Sequence, residues 1–94
     1  MRILGAGILN DYGRRKPRLR GPVQALRALI GAARWKRLKD VEAQFAQVAS
    51  ITPPDRVALD FAEEDLRLEL RVNGALGLVR IVAIGPSASK GKQT

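Results

Sequence analysis

Leu66, Leu68, Leu70 and Val72 alternate with Arg67, Glu69 and Arg71. That two-residue period belongs to a strand with one face buried and the other wet, and a helix does not satisfy it. Asn73-Gly74 follows at once, and both residue types tolerate the positive φ of a two-residue hairpin turn. Leu78 to Ile84 is apolar apart from Arg80, as in a strand buried on both faces. A turn at Asn73-Gly74 sets Val72 against Ala75, Leu70 against Gly77, Leu68 against Val79 and Leu66 against Ile81. On the other face it puts Arg67 directly opposite Arg80. Val57 to Phe61 joins the same sheet: with Glu63-Glu64 as the tip, Phe61 meets Leu66, Leu59 meets Leu68 and Val57 meets Leu70. Asp60 then stands beside Arg67, and Arg56 beside Arg71. The expectation is a three-stranded antiparallel meander over Arg56–Ile84, greasy on one side and charged on the other. Like charges opposite one another on neighbouring strands are destabilising. The Arg67–Arg80 pair therefore calls for neutralisation, by Asp60 or by a bound anion; the alternative is a charged face that is simply solvated.

Ahead of the meander the pattern is helical. Arg2-Ile3-Leu4 suits a short N-terminal edge strand. Ile8, Leu9 and Tyr12 share one face of a helix that must end before Pro17, because a residue preceding proline resists helical geometry. Gly21-Pro22 opens a second helix with proline in its favoured first turn, and Val23, Leu26, Ile30 and Ala33 form its buried stripe. Leu38, Val41, Phe45 and Val48 continue as a third amphipathic segment to about Ser50, and Pro53-Pro54-Asp55 breaks the chain before the sheet. Helices followed by strands give an α+β class, with the helices packed on the greasy face of a small antiparallel sheet. Residues 1–84 form one domain on this reading, and 85–94 a polar, basic tail of the kind that is usually mobile.

The chain carries a formal charge of +8, unevenly spread. Residues 1–39 hold 11 Lys/Arg and one acid; residues 40–94 hold 6 Lys/Arg and 8 acids. Arg14 to Arg20 alone contains five cations in seven residues. A polyanion is the natural partner for such a region, with nucleic acid first, an anionic membrane surface second and an acidic protein third. A solvated loop is the plainer reading of the run itself. Arg34-Trp35-Lys36-Arg37 surrounds the lone tryptophan with cations, which suits either base stacking beside phosphate grip or a core plug between two helices. There is no cysteine and no histidine. A Cys/His zinc centre, a thiol nucleophile and a Ser-His-Asp triad are excluded, and no cofactor or metal is implied. Lack of cysteine suits a cytoplasmic location, and no apolar run approaches the ~20 residues of a membrane span.

In order and spacing, Ala33-Arg34-Trp35-Lys36, Asp40-Val41, Asp55-Arg56-Val57, Leu66-Arg67-Leu68, Val79-Arg80-Ile81 and Ile84-Gly85 resemble the HigB-type toxins of the RelE/ParE superfamily. These are the toxin halves of bacterial type II toxin–antitoxin pairs. The resemblance implies a RelE-like fold and ribosome-dependent cleavage of messenger RNA, an endoribonuclease (mRNA interferase) activity. It also implies a cognate antitoxin, a small helix-turn-helix protein. Carried over by position, it gives Arg67 as a phosphate-stabilising catalytic residue and Lys36 as a second catalytic cation. Arg34, Arg37, Arg56, Arg71, Arg80 and Lys90 become RNA- or phosphate-binding candidates, and Trp35 a stacking candidate. After Gly85 the family continues Thr-His-Ala-Glu-Tyr-Asp, whereas this chain reads Pro86-Ser87-Ala88-Ser89-Lys90-Gly91. Two readings stand: an RNA-cleaving toxin with impaired chemistry, or a non-catalytic toxin that binds its antitoxin, RNA or the ribosome without cutting. Inhibition of a protein target, as in the gyrase-poisoning branch, is a third.

Overall fold

A computed structural model describes residues 1–88. The chain begins at one edge of a sheet with β1 (Arg2–Leu4). Three helices then cross to the opposite edge: α1 (Ala6–Arg15), α2 (Arg20–Ala32) and α3 (Leu38–Gln44). Four antiparallel strands bring the chain back: β2 (Ala49–Thr52), β3 (Arg56–Phe61), β4 (Leu66–Asn73) and β5 (Leu78–Gly85). β5 finally lies parallel to β1, so the order across the sheet is β1-β5-β4-β3-β2. The architecture is α+β, and the helices occupy one face.

The apolar periodicities explain that packing. Val23, Leu26, Ile30 and Ala33 are all buried, as are Leu9 and Tyr12 of α1. They meet Val57, Leu59, Leu66, Leu68, Leu70, Val72, Val79 and Ile81 from the sheet in one continuous core. Ile8, expected on the inner face of α1, is 41% exposed. The helix presents only two of its three adjacent apolar residues to the sheet.

The third helical segment is shorter than its periodicity suggests. α3 stops at Gln44, and Val48 leads into β2, which pairs with β3 from Ala49↔Leu59 to Thr52↔Arg56. Ala49 and Ile51 are half-buried while Ser50 and Thr52 are exposed, a strand alternation set among residues whose spacing also fits a helix. Pairing with β2 gives the backbone groups on the outer edge of β3 partners that an extra turn of α3 would leave them without. The meander therefore has four strands, and the whole sheet five.

The β3–β4 register matches the sequence reading throughout: Phe61↔Leu66, Leu59↔Leu68, Val57↔Leu70, Asp60↔Arg67 and Arg56↔Arg71. The β4–β5 register does not. Asn73 is the last strand residue, paired with Leu78, and the loop spans the four residues 74–77. Asn73 Oδ1 accepts the Leu76 N–H at 3.1 Å, and Gly77, at φ 66°, is the residue that needs left-handed backbone. Val79 accordingly faces Val72 rather than Leu68, and Arg80 faces Arg71 rather than Arg67. A bulge beside Glu69/Leu70 then advances β5 by one residue, giving Glu69↔Ala83, Leu68↔Ile84 and Arg67↔Gly85. β5 is buried on one face only: Leu78, Val82 and Ala83 are half-buried on the side that no helix covers.

Gly74 has a different task from the one its turn signal suggests. A Cβ built there would lie 2.0 Å from the Lys36 carbonyl oxygen and 2.7 Å from its Cα. The hairpin loop is pressed backbone to backbone against the α2–α3 connection. Gly74→Ala should therefore lower stability by about 1–3 kcal/mol, the range for forced overpacking, read as a fall in Tm of several degrees. An unaltered melting curve would mean that loop and connection do not touch.

Candidate functional site

Three arginines stand abreast on the uncovered face. Arg56 on β3 is paired with Arg71 on β4, which is paired with Arg80 on β5, and Thr52 and Leu4 close the two ends of this row. Neighbouring strands lie ~4.8 Å apart, so three guanidinium-bearing stems fit within roughly 10 Å. Arg71 Nε donates to Asp55 Oδ2 at 3.1 Å. Among the described residues, Arg56 and Arg80 have no carboxylate within 4 Å. The like-charge conflict expected at Arg67–Arg80 is thus real but sits elsewhere, in a row of three with a single acidic partner.

A groove runs from this row toward the α2–α3 connection. A depression of about 270 Å³, with Asp55, Arg71, Asn73, Leu78 and Arg80 among its walls, adjoins a hollow of about 530 Å³ that includes Lys36, Arg37, Pro54 and again Asp55 and Asn73. Three contacts hold the basic connection in place. Trp35 turns inward, 3% exposed, with its Nε1–H on Gln44 Oε1 at 2.9 Å. Its ring packs edge-on to Phe45, which packs edge-on to Phe61. Asp40 Oδ2 accepts the backbone N–H groups of Lys36 and Arg37 at 2.9 and 3.1 Å. Those two donors, followed by the nearby cations, hold the Asp40 carboxyl below its ordinary pKa. Gly74 supplies the third contact. Arg34, Lys36 and Arg37 are left exposed around a fixed backbone. Trp35 is a core plug, and its enclosed ring offers no face to a base.

Arg67 lies at the other end of β4. Its Nη1 is 3.4 Å from Asp60 Oδ2, and its side chain is 34% exposed. Asp60 also accepts the Ser87 hydroxyl and, at 3.2 Å, the Ala88 N–H. Asp65 accepts the Ser87 N–H at 3.1 Å and faces Arg18 at 3.7 Å. The segment after Gly85 is therefore fastened to the sheet as far as Ala88, with Ser87 only 6% exposed, where sequence reasoning places a tail. Lys90 lies outside the described residues. Arg67 and the Lys36–Gly74 contact are separated by the length of β4, roughly 20 Å. The two residues carried over as catalytic thus address different stretches of any bound chain.

Elsewhere, Arg14 and Arg15 pair with Asp11 at 2.9 and 2.8 Å. The side chains are well exposed, and such pairs contribute little. No helix among the described residues is long and apolar enough to cross a membrane. The four sheet arginines, Asp60 and Glu69 are legible in the sequence, whereas the roles of Asp55, Gly74 and Asn73 are not. Asp55 follows two prolines and looks like a loop residue, and the close approach at Gly74 depends on a segment 38 positions earlier. No protein-family model matches the chain, and no curated protein matches it.

Proposed function

We propose that this chain is the toxin component of a type II toxin–antitoxin pair, RelE-like in fold, that grips single-stranded messenger RNA with the open face of its sheet. The setting would be the cytoplasm, at the ribosome, with a small helix-turn-helix protein as antitoxin. The Arg56–Arg71–Arg80 row carries this reading. Three like charges abreast with one acid between them are destabilising in the free protein and become favourable once phosphates stand opposite them. The groove leading to Lys36 and Arg37 extends the same positive track.

The form of the proposal favoured is binding without cleavage. Cutting at a 2′-hydroxyl requires a base, an acid and phosphorane-stabilising cations around one phosphate. Arg67 is engaged by Asp60, Ser87 stands where the resembled family has histidine and gives its hydroxyl to the same carboxylate, and Lys36 is a strand's length away. Induced expression in bacteria without the adjacent reading frame tests this. Growth should slow while transcripts remain intact and the protein travels with ribosomes. Freshly cut transcripts would restore the cleaving form, and normal growth with no RNA retained at low salt would sink the proposal.

A further inference from the structure

A second depression, about 150 Å³, lies on the same open face between the arginine row and the Arg67–Asp60 pair. Ala58, a small residue in the cross-strand set Ser50↔Ala58↔Glu69↔Ala83, lies at its floor. Val82 adds an apolar wall, and Ser50 and Thr52 bring hydroxyls. Arg56 and Arg67 border it on two sides, and Glu69 lines it. The bulge beside Glu69/Leu70 is the local device that re-aims side chains at such a point.

Glu69 is the anomaly. The other carboxylates beside these arginines, Asp55 and Asp60, are paired with Arg71 and Arg67, whereas among the described residues no cation comes within 4 Å of Glu69. A carboxylate there repels phosphate, so its counterpart must be a group bearing N–H donors. Unstacked bases in single-stranded RNA present such donors on their Watson–Crick edges. Guanine alone offers two adjacent ones, N1–H and the 2-amino group, matched to both oxygens of one carboxylate. Cytosine and adenine offer one amine, and uracil one N–H flanked by carbonyls that a carboxylate repels.

We infer that this depression receives a single guanine base, with Glu69 accepting both Watson–Crick donors while Arg56, which has no acidic partner among the described residues, takes a flanking phosphate. The inference rests on the RNA-binding reading above and adds base preference to it.

The test is fluorescence anisotropy of the intact chain with three seven-residue RNAs: all uridine, uridine with one central guanosine, and uridine with one central inosine. The guanosine strand should bind about tenfold more tightly than the uridine strand, the discrimination of one good bidentate pair. Inosine, which lacks the 2-amino group, should fall between. Glu69→Gln should erase the guanosine preference and tighten binding of the uridine strand, since it removes a negative charge beside phosphate. Ala58→Leu, which fills the floor, should bring the guanosine strand down toward the uridine strand. Equal binding of all three RNAs by the unaltered chain, or a preference that survives Glu69→Gln, overturns the inference and leaves backbone binding standing. Failure to bind even the uridine strand at low salt instead removes the RNA-binding reading on which it rests.

Discussion

If the chain binds RNA as proposed, replacing Arg56 and Arg80 together by glutamine should weaken that binding by roughly 25-fold at ~0.1 M salt, because each lost phosphate contact removes a counterion-release term of ~0.7 in log K per tenfold salt. The slope of log K against log salt should flatten by ~1.4 for the same reason. These two arginines are the informative ones, since neither has an acidic partner among the described residues and each is paired across strands with Arg71. Relieving that repulsion should leave Tm unchanged or slightly raised, which separates loss of binding from loss of fold. Arg67→Gln is the contrast: its guanidinium is already committed to Asp60, so its effect on the salt slope should be smaller. An unchanged slope in the double variant would place the RNA on another surface.

Trp35→Ala carries the largest expected loss of stability, about 3–5 kcal/mol, which for a domain of this size lowers Tm by roughly 15–30 °C. The ring is 3% exposed, donates to Gln44 and begins the edge-to-face series with Phe45 and Phe61. Its removal empties the junction between the α2–α3 connection, α3 and the sheet, and frees the basic turn that Gly74 and Asp40 help to hold. Trp35→Phe keeps most of the packing and gives up the Gln44 hydrogen bond, so its loss should be about 1–2 kcal/mol. A Trp35→Ala chain that melts normally but has lost RNA binding would show a stacking tryptophan instead of a core one.

Much of this molecule is legible in its residues. The alternation from Leu66 to Val72 determines which side of β4 is buried, and the 3.6-residue stripe Val23–Leu26–Ile30 does the same for α2. Even the mistaken β4–β5 turn preserves the faces as far as Ile81. The true pairing is displaced by four positions from the loop to Ile81, and an even shift leaves those side chains on the side first assigned to them; past the bulge the displacement becomes five, which turns Ala83 outward opposite Glu69 and Ile84 inward opposite Leu68. Parity is a local property, and sequence carries it well.

Pairing partners are not local. Arg80 faces Arg71 because the loop opens to four residues, and Gly74, the first of them, lies against the Lys36 carbonyl, a contact between segments far apart in the chain. The same holds for β2. Ala49 to Thr52 becomes a strand because β3 lies beside it with unpaired backbone groups, while its own residues fit either periodicity. Ser87 belongs to the sheet because Asp60 and Asp65 accept its hydroxyl and its N–H, though its composition reads as tail.

By itself, the sequence determined an α+β chain with a greasy sheet face covered by helices and an arginine-bearing face left open, since hydrophobic period and charge placement are written residue by residue. Only the tertiary structure decided which arginines stand abreast, that Trp35 turns inward, and that Glu69 lines a depression floored by Ala58. Those outcomes depend on loop closure, a bulge and backbone contact across the chain, and no window of neighbouring residues contains that information.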